Sequence, residues 1–167
     1  MSLRLPAAIL IGILSAGHIP AQEPNVAFGG LRADPALPVE VSAESLTVDN
    51  RSGRAVFAGG VVISQGEMRL SAPTVEVEYE NAERSRIKAL HATGGVILVS
   101  GEDAAEAKEA TYTVEAGIVV LTGDVVLTQG PSTMTGQSLT VNLNDGTGRM
   151  EGRVKTVLVP QKTGDGN

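Results

Sequence analysis

One pattern recurs four times between Val39 and Pro160 and limits what the chain can fold into. An apolar residue, a spacer, a small residue and two further spacers lead into alternating apolar residues. The copies are Val41/Ala43/Leu46/Val48, Leu70/Ala72/Val75/Val77/Tyr79, Ala105/Ala107/Ala110/Tyr112/Val114 and Met134/Gly136/Leu139/Val141/Leu143. Each is followed by a second element in which glycine lies two residues before valine: Gly59 and Val61, Gly94 and Val96, Gly123 and Val125, Gly152 and Val154. From small residue to glycine the step is 16 residues in three units (43 to 59, 107 to 123, 136 to 152) and 22 in the second (72 to 94). From glycine to the next small residue it is always 13, so the unit is 29 residues, with six extra in the loop Glu80 to Arg86. A fixed period of this size marks stacked supersecondary units, and the period-2 alternation inside each marks strands.

The turn residues agree with a hairpin per unit. Asp49 to Gly53, Glu115 to Gly117 and Asn144 to Gly148 fall within units, while Gln65 to Glu67, Gly101 to Asp103 and Gln129 to Ser132 fall between them. The phase also breaks in a telling way. Val39, Val41 and Ala43 share one parity and Leu46 and Val48 the other, so keeping them on one face requires a bulge or bend near Glu44 and Ser45. The same shift follows Ala72, Ala107 and Gly136, and the recurring glycine lies opposite it, where a missing side chain permits a bend. The expected fold is all-β: a folded-over antiparallel jelly-roll of four bent hairpins, open at both edges, around an aliphatic trough. Parity places Leu46, Val48, Phe57, Val61, Ile63, Val75, Val77, Leu90, Val96, Leu98, Tyr112, Val114, Leu121, Val125, Leu127, Leu139, Val141, Met150 and Val154 inside. Such positions can fill a dry core or line a ligand cavity, and the pattern fits both.

The ends of the chain read differently. Arg4, the apolar stretch from Leu5 to Ala16 and the small residue at Ala21 compose an export signal over residues 1–21, too short and too interrupted by Pro6 and Gly12 for a membrane span. Residues 22–38, with four Pro or Gly pairs and singles but no apolar period, are expected to be a flexible arm, residues 39–160 the domain, and 161–167 a flexible tail. Without cysteine there is no disulfide framework, thiolate metal site or cysteine nucleophile. A net charge of -6 and four aromatic residues argue against nucleic acid, through both phosphate neutralisation and base stacking. Enzymatic chemistry has little to stand on. Parity turns His91 to the outer face, and Glu102, Asp103, Glu106 and Asp124 show no metal-ligand or nucleophile spacing and are expected to be a solvated rim. No cofactor or metal is implied.

The segments Val41 to Val48, Ala58 to Gly66 and Met68 to Ala72, in that order and spacing, resemble the OstA-like family, and the resemblance extends over roughly Pro38 to Pro160. It implies a non-enzymatic periplasmic jelly-roll that holds the acyl chains of lipopolysaccharide, its lipid A part, in the groove, so that the nineteen interior residues become lipid-binding. It further implies a bridge for outer-membrane assembly, with an anchored inner-membrane partner at the N-terminal edge and an outer-membrane translocon at the C-terminal edge. The first edge, around Val39 to Val48, and the last, around Arg153 to Val159, would present unpaired backbone groups, which suggests head-to-tail self-association. The alternative from the same repeat is an extracytoplasmic β-solenoid scaffold that polymerises without lipid cargo and has a fully packed interior.

Overall fold

The structure, a computed structural model, describes residues 26–27, 31–34, 36–49, 51, 53–80 and 86–159. The expected export signal and C-terminal tail lie outside these residues. The described chain is all-β: β1 (Val26–Ala27), β2 (Glu40–Ser42), β3 (Ser45–Asp49), β4 (Arg54–Gln65), β5 (Met68–Tyr79), β6 (Ile87–Ser100), β7 (Asp103–Thr113), β8 (Ile118–Gln129), β9 (Ser132–Asn142), β10 (Thr147–Glu151) and β11 (Lys155–Val157). They form one antiparallel sheet in the order β1-β10-β9-β8-β7-β6-β5-β4-β2, with β3 also on β4 and β11 also on β9. The four repeat units are therefore β2/β3 with β4, β5 with β6, β7 with β8, and β9 with β10/β11. From β4 to β10 sequential strands are neighbours and the sheet meanders, whereas β1 lies beside β10, so the chain crosses from that edge to β2 at the other.

The phase shift in the sequence is a crease in the sheet. Registers slip between Ala58 and Val61, Ser71 and Thr74, Thr93 and Val96, Glu106 and Glu109, and Thr122 and Val125. At each slip two residues of the glycine strand oppose one of its neighbour, which bends both and increases their twist. The glycine strand needs positive φ there, and Gly94 (φ 93°) and Gly95 (φ 98°) supply it without steric cost. In the third and fourth units the second position is taken by Asp124 and Arg153, both at φ 50°. Aspartate tolerates this left-handed region better than most residues. The single opposing residues are Pro73, Lys108 and Gln137, whose side chains lie over Gly94, Gly123 and Gly152, tightly at Gly94 and too close for any Cβ at Gly123 and Gly152. Glu44 covers Gly59 in the same way, and its N–H donates to the Gly59 carbonyl at 3.0 Å. Pro73 is tolerated in the middle of the sheet because it sits at a bulge, where a missing ladder donor is harmless.

The creased sheet folds into two layers with the apolar faces inward. One layer holds β2, β11 and the strand halves near Gln65, Ser100 and Gln129; the other holds β3, β10, β1 and the halves near Tyr79, Thr113 and Asn142. Opposite the crease, the hairpin turns of the two layers face each other along a seam. The core between the layers is aliphatic and centred on Val61, Ile63, Leu70, Leu98, Leu121, Leu127 and Leu139, all fully buried.

The described residues of the stretch 22–38, namely 26–27, 31–34 and 36–38, are not the free arm that their composition suggested. Val26–Ala27 pair with Gly148 and Thr147 of β10. Leu31 has no exposed surface and belongs to the core. Ala33 N–H donates to the Leu143 carbonyl at 3.1 Å, and Gln65 Nε2 donates to the Leu37 carbonyl at 3.0 Å. A single buried leucine and a few bonds to unrelated turns leave no periodic trace in a sequence, which is why the stretch reads as a linker.

Candidate functional site: the inner face of the creased sheet

Residues directly paired across an antiparallel sheet share a face, so the register traces the inner surface strand by strand. One row in the second layer runs Leu46, Phe57, Val75, Ala92, Ala110, Leu121, Leu139 and Met150. Beside it lie Val48, Ala55, Val77, Leu90, Tyr112, Val119 and Val141. In the first layer Val41, Ile63, Leu70, Leu98, Ala105, Leu127 and Met134 form a third row. No charged side chain interrupts any of the three. The result is an apolar strip that crosses the whole sheet from its first edge to its last.

Of the interior positions expected from parity, Val61, Ile63, Val75, Val77, Leu90, Val96, Leu98, Tyr112, Leu121, Val125, Leu127, Leu139 and Val141 are buried, and Phe57, Val114 and Met150 are half-buried against them. Leu46, Val48 and Val154 are corrections: they are exposed, Leu46 by 53%. The face of Leu46 and Val48 is right, since Leu46 pairs with Phe57 and Val48 with Ala55. Leu46 and Val48 are wet because β3 is an edge strand with no further strand beyond it among the described residues, and Val154 because it falls between β10 and β11, outside any strand. Parity overlooked Val119, Leu70 and Leu143, each in phase with a named interior neighbour, and Leu31, for which the sequence carries no signal.

Two buried polar side chains among the described residues, Gln65 and Ser100, make links at the seam. The Tyr112 hydroxyl of one layer donates to Gln65 Oε1 of the other, and the same Gln65 amide holds the Leu37 carbonyl through its nitrogen. Burial raises the Tyr112 pKa, because the phenolate would lose its hydration. Ser100 Oγ, also buried, donates to the Arg32 carbonyl at 2.9 Å and accepts from the Arg32 N–H at 3.4 Å. Every buried side-chain nitrogen and oxygen among the described residues has a partner.

The outer face carries paired polar groups, with Ile97 and Val99 exposed among them. His91 lies on it as expected, with Nδ1 3.2 Å from Thr111 Oγ1 and Nε2 3.0 Å from Glu78 Oε2. Lys88, 2.6 Å from Glu78, and then His91 hold the Glu78 pKa down. Asp124 pairs with Lys108 Nζ at 2.6 Å, which lowers the carboxyl pKa and raises that of the amine. Asp103 departs from the expected solvated rim: it is almost fully buried and accepts from Gln129 Nε2 at 2.9 Å. Among the described residues no group of three or more acidic or histidine side chains could hold a metal.

With this geometry in view, the comparisons with known proteins are decisive for the family. Residues 40–147, well over half of the chain, match the family described as LptA/(LptD N-terminal domain) LPS transport protein. The chain belongs to this family. The match begins at β2 and ends at β10, so the LptA-like region is the creased sheet itself. A curated relative, "Uncharacterized protein R00383" of Rhizobium meliloti (strain 1021), is 27% identical over 175 residues, covering 95% of this chain and 92% of its own length. Among solved structures the chain is similar to LptH of Pseudomonas aeruginosa, described as the LptA-homologous periplasmic component of the lipopolysaccharide transport device. The TM-score is 0.67 at 20% identity, covering 77% of this chain and 99% of that one, and it supports the LptA-like jelly-roll fold. LptA-like proteins are in general a transport family and not an enzymatic one.

Proposed function

We propose that the chain is a periplasmic carrier that shields the acyl chains of lipopolysaccharide against its inner face and passes them along a bridge between the two membranes. The observation that carries this reading is the apolar strip from Leu46 to Met150, which reaches the sheet's open edge instead of stopping at a polar rim. Exposing acyl chain to water costs about 0.8 kcal/mol per methylene, so a multi-chain lipid needs a continuous apolar path across an aqueous compartment. In this reading the interior residues, from Val61, Ile63 and Leu98 to Leu121 and Leu139, are the acyl-facing surface, and the sugar and phosphates remain in solvent.

Edge-to-edge stacking would extend the strip from one copy to the next. The last edge supports it: Val154, Val157, Leu158 and Val159 are exposed, with Lys155 as the one charge among them. An unprotected apolar edge is a ready template for another strand. The inner-membrane partner is then placed at β2/β3 and the outer-membrane translocon at the last edge. Truncation after Gly152 is expected to abolish concentration-dependent chains in sedimentation velocity while lipid loading persists. A closed dimer unaffected by the truncation would overturn the bridge.

One observation favours the cargo-free scaffold: the interior is packed, as that reading requires. Native mass spectrometry of protein purified from its own periplasm separates the two. Co-purified lipopolysaccharide supports the carrier, and protein consistently free of lipid, with its inner edge residues intact, supports the scaffold.

A further inference from the structure

A side chain bordering any water-sized void keeps some accessible surface. Ile63, Leu98, Leu121, Leu127 and Leu139 keep none. There is thus no room for an acyl chain between the layers as they stand, and a carrier of this build must open.

The two long boundaries between the layers are not equally able to do so. At the crease, β4 to β9 run continuously from one layer into the other, so parting there breaks the ladders of six strands. At the seam no ladder crosses among the described residues. The layers meet there through apolar contact, the Tyr112–Gln65 hydrogen bond and one crossing strap, residues 31–34 and 36–39.

The strap is tied to both lips of the seam. On one lip its Arg32 backbone exchanges two bonds with Ser100. On the other, Ala33 N–H reaches the Leu143 carbonyl at 3.1 Å and Arg32 Nη2 reaches the Asp145 carbonyl at 3.1 Å. Leu31 is the one fully buried side chain of the strap, with Ala33 and Val39 half-buried against the core. Past Leu37 the seam holds a cleft of about 450 Å³, lined by Leu37, Val39, Ile87 and Val114 on its apolar side and by the Glu80–Arg86 ion pair. Segments held by few buried contacts and a handful of bonds open at the low end of a protein's local stability range.

We propose that the strap is a gate: lipid enters sideways through the seam, starting at the cleft beside Leu37, and the Leu31 side chain leaves the core as an acyl chain takes its place. The closed strap is an internal stand-in for cargo, keeping the apolar interior dry when no lipid is bound. This rests on the carrier reading, and the two fail differently.

The chain has no cysteine, so a pair introduced as Ala33→Cys with Leu143→Cys, whose backbones already share a hydrogen bond, can be closed and reopened without interference. Uptake of fluorescently labelled, purified lipopolysaccharide is followed for the oxidised and reduced forms of the full chain. The oxidised form is expected to load about tenfold more slowly or worse, because the lock depletes the binding-competent population, and reduction restores the rate. Leu31→Ala, which leaves every strand in place, is expected to load faster than wild type. Equal rates for oxidised and reduced protein, or no acceleration in Leu31→Ala, overturn the gate while wild-type loading keeps the carrier reading. Wild-type protein that takes up no lipopolysaccharide overturns the carrier reading and the gate with it.

Discussion

Leu121 and Leu46 lie on one row of the same inner face, five strands apart. The first has no exposed surface and the second is half in water. Leu121 stands on a central strand with a sheet neighbour on each side and the opposite layer above it. Leu46 has β4 on one side and nothing described on the other. Identical side chains on an identical face therefore do different work: one holds the fold together, the other leaves an apolar margin for something else to cover. At the far end of the row Met150 shows an intermediate case. It is half-buried, its sulfur packed over Gly136 where a side chain would not fit, and β1 pairs with its strand.

The sharpest way to break this comparison is a charge at each end of it. Leu121→Asp is expected to unfold the domain, since an unpaired buried carboxylate costs several kcal/mol and forces neutralisation or water entry. Leu46→Asp is expected to leave a cooperative thermal transition near the wild-type value by circular dichroism. For that reason Leu46→Asp and Val48→Asp test lipid capture cleanly, whereas Asp at Val61, Leu98 or Leu127 confounds capture with folding. Comparable unfolding by Leu46→Asp would show that the first edge is structural.

Truncation gives a smaller contrast. Leu121→Ala is expected to cost about 2–5 kcal/mol through lost burial and a residual cavity, and Leu46→Ala less than about 1 kcal/mol, both read from denaturant midpoints. Tyr112→Phe comes next, at about 1–3 kcal/mol, because it leaves Gln65 Oε1 buried without its donor. The raised Tyr112 pKa adds a signed test. The stability it contributes is full below the ordinary tyrosine range, near about 10, and is lost as pH rises through the folded value. Alkaline unfolding should therefore move less with pH in Tyr112→Phe than in wild type.

The smallest effect is expected on the outer face. Asp124→Asn removes the exposed pair with Lys108, and pairs of this kind contribute little. Since Lys108 lowers the Asp124 pKa, the contribution is present above the ordinary aspartate range and disappears as pH falls through the lowered folded value. A melting curve that separates wild type from Asp124→Asn at neutral pH more than Leu46→Ala does would reverse this ranking.

Much of the fold was legible because repetition makes local rules visible. The step of 13 from each glycine to the next small residue located the turns between units, and the parity change at Glu44 and Ser45 located the crease. The interior rows followed, because pairing partners in a sheet must share a face. What parity left unread was burial at the ends of the rows, as at Leu46, Val48 and Val154, and the buried state of Asp103, which depends on Gln129 from another hairpin.

The sequence by itself determined the hairpins, their bends and which side chains turn inward, since each is set by alternation, glycine and turn chemistry within a few residues. Only the tertiary structure decided that residues 31–34 cross the seam, that Gln65 joins Tyr112 and Leu37, and that the layers close without a void. Those contacts join positions far apart in the chain through single side chains and carbonyls, such as Arg32 with Ser100, 68 residues away. No periodicity records a meeting of that kind, because it is chosen by where the folded sheet happens to bring two turns together.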